Sequence, residues 1–169
     1  AYGDSDTGRW QAAGATLDVV AAPISGGGLL AGLATAVKAL SPQTAMVGVE
    51  PEAFDDTLKS LQAGARQTFK PTGRSLCDSL ESPAPGELTF PVMQQTVANV
   101  ALVSDREITE AMRYAFSTLK LVVEPGGVAA LAALLAGKID IAGKASIALV
   151  LSGGNVDPEQ FAQVIRGEI

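Results

Sequence analysis

The sequence predicts an α/β fold: a doubly wound, mostly parallel sheet of about four strands with helices on both faces. Three observations carry that expectation. Short apolar runs at Leu17–Ile24, Ala45–Val49, Asn99–Val103 and Ser146–Leu151 alternate with segments of helical spacing. Hydrophobic residues make up 47% of the 169 while aromatics are only 5%, so Ala, Val and Leu fill the interior, as in buried parallel layers. Glycine-rich turns follow the first and last of these runs, at the strand ends where ligands of such sheets sit.

Taken in order, residues 1–16 read as an irregular or helical lead-in, polar and aperiodic, with Trp10 suited to packing. Residues 17–169 read as a single α/β domain, without internal repeat or dividing linker. Leu29, Leu30, Leu33, Ala34, Val37 and Leu40 mark one face of a first helix, with Lys38 in its last turn and Pro42 as a stop. Residues 55–63 form a short helix closed by Gly64, and the proline- and glycine-bearing stretch 65–88 is mostly loop. After a helix over 90–96, Ser104 and Glu107 fit a capping box. Ile108, Met112, Phe116 and Leu119 then space an amphipathic helix. Val122–Gly127 breaks it, an apolar helix starts at Val128, and residues 158–165 close the chain as a helix.

The composition narrows the function. A net charge of −6 and scattered basic residues argue against nucleic acid and anionic membrane as partners. No turn-free apolar stretch reaches the roughly 18 residues of a membrane span. Without histidine, a Ser-His-Asp triad and His-containing zinc sites are excluded. The single Cys77 permits no internal disulfide, which fits a reducing, cytoplasmic setting, and it reads best as a small core hydrophobe. No secretory signal is visible, and the high apolar content is expected to be buried against another domain or subunit.

The stretch Pro23-Ile24-Ser25-Gly26-Gly27-Gly28-Leu29 carries the clearest chemistry. Strand, glycine turn and helix in that order leave backbone N–H groups unpaired at a positive helix end, which suits a phosphate or carboxylate. The same order also serves as a bare tight connection. Ser152-Gly153-Gly154-Asn155 is by itself a strand-to-helix turn with Asn155 or Asp157 as cap. Glu124, between apolar segments, needs a partner or a capping role, and Pro125 behind it suits a helix start.

Together, Pro23-Ile24-Ser25-Gly26-Gly27-Gly28-Leu29, Gly48-Val49-Glu50-Pro51, Val123-Glu124-Pro125-Gly126-Gly127 and Leu151-Ser152-Gly153-Gly154-Asn155 resemble the pyridoxal-phosphate-dependent serine/threonine dehydratase and serine racemase family. The resemblance covers about residues 17–166 and corresponds to the C-terminal half of such an enzyme. It implies fold type II of the pyridoxal 5'-phosphate enzymes. It further implies that Ser25, Gly26, Gly27, Gly28 and Leu29 hold the cofactor phosphate, Ser25 replacing a usual glycine. By the same resemblance Ser152 bonds the ring nitrogen, Glu124 lies beside the ring, and Asp78 and Ser79 lie near substrate and cofactor. Cys77 and Ser79 replace a smaller alanine and glycine there and are expected to narrow the substrate space.

In the same family Glu50, Asp56 and the Phe54 carbonyl match a divalent-cation site, a hard oxygen set suited to Mg²⁺ or Ca²⁺. The alternative is a solvated turn that caps the helix at Thr57. The family's Schiff-base lysine belongs to the N-terminal half and matches none of Lys38, Lys59, Lys70, Lys120, Lys138 and Lys144, so no catalytic residue is expected in this chain. The implied activity is β-elimination from serine, threonine or a related 3-hydroxy amino acid to a 2-oxo acid and ammonia. The alternative is an inactive fragment or binding module that holds the cofactor or another phosphate ligand. A nucleotide-binding domain is a weaker reading, because no G-x-G-x-x-G follows strand one. The expected partners are an amino acid substrate and either further copies of the chain or the missing half.

Overall fold

The computed structural model describes residues 17–144 and 146–169, so the expected lead-in over 1–16 lies outside the described residues. Ten regular elements follow one another: β1 (Val19–Pro23), α1 (Gly28–Leu40), β2 (Ala45–Pro51), α2 (Asp56–Ala63), α3 (Thr89–Thr96), β3 (Val97–Val103), α4 (Asp105–Tyr114), α5 (Ala129–Leu135), β4 (Ile147–Leu149) and α6 (Pro158–Arg166). The four strands form one parallel sheet in the order β3-β2-β1-β4. The predicted α/β class is therefore the observed one.

Side-chain alternation along β1 divides the core. Val20, Ala22 and Ile24 pack with Leu30, Ala31 and Ala34 of α1 and Met93 of α3 on one face. Val19 and Ala21 face the opposite way, onto Ile108 and Met112 of α4, Leu131 of α5 and Val164 of α6. Every β1 residue is buried, which accounts for its continuous apolar run. Gly48 of β2 lies under Ile24, where a Cβ would overlap that side chain.

The helix ends follow their sequence signals. Lys38 Nζ donates to the carbonyls of Pro42 (3.0 Å) and Thr44 (2.7 Å) and ties the end of α1 to the start of β2. Gly64 closes α2 at φ 67°. Ser104 and Glu107 form the capping box of α4, and Asp157 caps α6 with Pro158 in the first turn.

Two elements depart from expectation. The amphipathic helix stays α-helical only to Tyr114; Ala115–Leu119 is a π-turn, ended by Lys120 at φ 62°. That turn rotates Phe116 and Leu119 outward, so both are exposed while Ile108 and Met112 are buried. Strand β4, at an edge with β1 as its one described neighbour, pairs over three residues only.

Candidate active site

The strand order fixes where a ligand can sit. From β1 the chain moves outward through β2 to β3, and β4 then adds on the other side of β1. The order therefore reverses between β1 and β4, which is where open α/β sheets form their ligand crevice. The turns Ser25–Gly28 and Ser152–Asn155 leave the sheet at the carboxyl ends of these two strands.

The first turn has the shape of an anion cradle. Gly27 has φ 86°, and a Cβ on it would meet the Met93 and Thr89 side chains at 2.5–3.0 Å, so only glycine fits. A Cβ on Gly26 or Gly28 would meet nothing, so the outer side of the turn is open. The Gly26 carbonyl is turned inward and accepts the Gly86 N–H (2.9 Å) and the Thr89 hydroxyl (2.5 Å). No described residue accepts the N–H groups of Ser25, Gly26, Gly27, Gly28 or Leu29. Five donors around open space at the start of a 13-residue helix fit a phosphate.

The second turn is clamped from below by the segment Val122–Gly127. Ser152 N–H donates to the Gly127 carbonyl (3.1 Å), and Glu124 N–H donates to the Gly153 carbonyl (3.1 Å). The Glu124 carboxylate then accepts the Asn155 N–H at 2.9 Å. A Cβ on Gly153 would overlap that carboxylate, so Glu124 lies flat under the turn. The structure thus puts the Glu124 carboxylate on the backbone of the Ser152 turn. Ser152 itself is exposed, and no described residue takes its hydroxyl.

Asp78 and Ser79 lie in a short 3₁₀ turn, Asp78–Leu80, packed on Gly126, where a Cβ would overlap the Ser79 hydroxyl. Asp78 is exposed and accepts the Ser79 N–H at 2.7 Å. Cys77 is 0% exposed and belongs to the core beneath α4, with burial pushing its thiol up to about 12. The expectation that Cys77 narrows the substrate space is corrected, because its side chain fills the core.

Glu50 is 1% exposed, and its two oxygens accept the N–H groups of Thr57 (3.0 Å) and Leu58 (3.1 Å) at the start of α2. The cap expected at Thr57 therefore comes from the buried Glu50 carboxyl and not from a solvated side chain. Asp56 is 2% exposed and its Oδ2 is buried without a partner. Burial pushes Glu50 up to about 8 and Asp56 to about 7, reinforced by the charge of Asp56 beside Glu50 and of Asp55 beside Asp56. The donor set fits a hard cation in type, Asp56 Oδ2 being an orphaned oxygen. Among the described residues, however, no three acidic or sulfur ligands converge.

Five of the lysines are engaged elsewhere. Lys38 closes α1, Lys59 pairs with Asp55, Lys120 bonds Ser117, Lys138 bridges Glu107 and Glu52, and Lys144 bonds Asp140. The Glu107 contact raises the Lys138 pKa and holds it as an ammonium, a poor nucleophile. Lys70 is exposed in the loop after α2.

Comparison with known proteins finds clear relatives. The family model for pyridoxal-phosphate dependent enzymes matches residues 9–153. An L-threo-3-hydroxyaspartate ammonia-lyase of Pseudomonas sp is 38% identical over 151 residues, 89% of this chain and 47% of that protein. A phenylserine dehydratase of Ralstonia pickettii is 39% identical over 156 residues, covering 92% of this chain and 47% of the relative. Among solved structures, a threonine deaminase of T.th. is 44% identical with a TM-score of 0.82, over 89% of this chain and 54% of that one. The chain spans about half the length of the curated relatives it matches.

Proposed function

Because the chain belongs to the pyridoxal-phosphate-dependent enzyme family, we propose that it supplies the phosphate and ring-nitrogen contacts of an ammonia-lyase for 3-hydroxy amino acids. The observation that carries this reading is the ring of unaccepted N–H groups from Ser25 to Leu29 at the reversal of strand order. Bound there, the cofactor supplies an electron sink that acidifies the substrate Cα–H and permits loss of the β-hydroxyl.

The chain's own residues would bind and orient. Backbone amides of Ser25, Gly26, Gly27, Gly28 and Leu29 take the phosphate, and the Ser152 hydroxyl serves the ring nitrogen. A neutral hydroxyl leaves that nitrogen less protonated than a carboxylate would, which suits an elimination whose leaving group departs promptly. Glu124 keeps the Ser152 turn in place, while Asp78 and Ser79 border the substrate side. A lysine that carries the cofactor would come from outside this chain's own six. Exposed Leu119, Leu121, Val122 and Leu135 support association with further polypeptide, a second copy or a longer chain in a cytoplasmic enzyme.

A second reading concerns Glu50, Asp56 and the Phe54 carbonyl as a Mg²⁺ or Ca²⁺ site, favoured by the unpartnered, buried Asp56 Oδ2. The cation would replace the protons that burial now holds on the two acids.

The test mixes the purified chain with pyridoxal phosphate and follows ligand absorbance, then borohydride reduction and peptide mapping. Reversible, phosphate-dependent binding without a reduced adduct and without ammonia release from serine, threonine or 3-hydroxyaspartate is expected. Failure of the cofactor to bind would overturn the reading. A stoichiometric adduct with turnover would show that one of the six lysines carries the cofactor after all.

A further inference from the structure

The Gly26–Gly27 peptide is held from one side only. Its carbonyl accepts two hydrogen bonds, from the Gly86 N–H at 2.9 Å and from the Thr89 hydroxyl at 2.5 Å. Both lone pairs of that oxygen are thus engaged by a segment far along the chain, the loop before α3 and its first residue. The approach is close by construction, since a Cβ on Gly86 would stand 2.7 Å from the Thr89 hydroxyl and 2.9 Å from the Gly26 oxygen. In a planar trans peptide the N–H points opposite to the C=O. Drawing the Gly26 carbonyl toward Thr89 therefore aims the Gly27 N–H away from α3, to the side of the turn that has no described acceptor.

We infer that Thr89 is a positioning residue for anion binding: its hydroxyl locks the Gly26 carbonyl inward so that the Gly27 N–H faces the phosphate of the ligand. This rests on the reading of the glycine turn as a phosphate cradle. Without the hydroxyl, the Gly86 N–H alone holds that oxygen, and the peptide plane rotates more easily, which turns the carbonyl oxygen, a partial negative charge, toward the anion. A glycine pair has little steric resistance to that rotation, which is why an outside lock is needed. The Met93 side chain fills the space beneath Gly27 and the Thr89 methyl lies against Gly86, and neither supplies a donor to the Gly26 oxygen. Packing and hydrogen bonding can therefore be separated by substitution.

The experiment compares the chain with its Thr89→Val and Thr89→Ser variants by equilibrium dialysis against pyridoxal phosphate and against pyridoxal, which lacks the phosphate. Wild type should prefer the phosphorylated ligand. Thr89→Val should weaken binding of pyridoxal phosphate roughly tenfold, the scale of one hydrogen bond to a charged group, and leave pyridoxal unchanged. Thr89→Ser should restore the preference to within about twofold, because it keeps the donor. In a ¹⁵N–¹H spectrum, added inorganic phosphate should shift the Gly27 amide in wild type and Thr89→Ser, but not in Thr89→Val. Equal loss for both ligands in Thr89→Val would show a merely structural role and overturn the inference, as would no loss at all. A wild type that does not distinguish the two ligands would instead sink the phosphate reading itself, and this inference with it.

Discussion

Glu124 and Asn155 are joined beside the Ser152 turn, the Glu124 carboxylate accepting the Asn155 N–H at 2.9 Å. Since the Glu124 N–H also donates to the Gly153 carbonyl, one residue holds both backbone directions of the Ser152 turn. Glu124→Ala should therefore destabilise the chain by about 1–2 kcal/mol and speed hydrogen exchange at the Asn155 amide. Glu124→Gln, whose amide oxygen still accepts, should keep most of both. Urea unfolding and exchange rates measure this; an unaltered Asn155 amide in Glu124→Ala would refute it.

Gly27 and Gly64 share a positive φ, 86° and 67°, but differ in surroundings. A Cβ on Gly64 meets nothing, whereas one on Gly27 meets Met93 and Thr89. Gly64→Ala should cost about 1 kcal/mol from backbone strain alone. Gly27→Ala should cost more, roughly 2–3 kcal/mol, because overpacking adds to the strain. Paired denaturation curves decide; equal losses would mean that the clamp beneath Gly27 yields freely.

Cys77 is fully buried and its thiol is pushed up to about 12 by burial. It should not react with an aromatic disulfide reagent at pH 8 in the folded chain and should react completely in denaturant. Rapid reaction of the native chain would mean that the region from Cys77 to Leu80 opens.

The acids before α2 give a pH dependence of definite sign. Glu50 moves from an ordinary 4.5 to about 8 and Asp56 from 3.8 to about 7, so between these limits the folded chain holds protons that the unfolded chain has released. Stability is therefore greatest in acid and falls as the pH rises through 7 and 8. With chelator present, Tm should drop by roughly 5 °C or more from pH 5 to pH 8. Calcium should recover it most at pH 8, and Glu50→Gln should flatten the slope and abolish the calcium response. A Tm that climbs from pH 5 to pH 8 in chelator would contradict the assignment, and a Tm indifferent to calcium would remove the cation.

The sheet and its helices were legible because their signals are local. Val19–Pro23 is uniformly apolar, Ser104 and Glu107 lie three apart, and Gly64 and Pro158 stand where helix ends need them. The π-turn at Ala115–Leu119 left no such mark, since Phe116 and Leu119 keep a helical spacing that the extra residue in the turn rotates outward. The glycine turn with its unpartnered N–H groups was legible from residues 25–28, yet the contact that fixes its Gly26 carbonyl was not. Thr89 meets Gly26 across 63 positions, and Gly86 followed by Thr89 looks like any helix start. The Glu124 clamp was hidden for the same reason, its partner lying 31 residues away. Glu50 was recognisable as part of an acidic group, but its use as a buried cap depends on the path of the chain from Pro51 to Thr57.

The order in which the crevice can assemble follows from the short pairing of β4. The glycine turn needs β1, α1, the loop before α3 and the α3 residues Thr89 and Met93, all within the first part of the chain. The Ser152 turn exists only after β4 has found β1, across a separation of 128 residues marked by the Ser146 N–H on Asp18 Oδ2. Contacts so distant along the chain are slow to form, and three paired residues hold them loosely once made. The Ser25–Leu29 turn therefore depends on contacts within the first part of the chain, whereas the Ser152 turn depends on pairing with its far end.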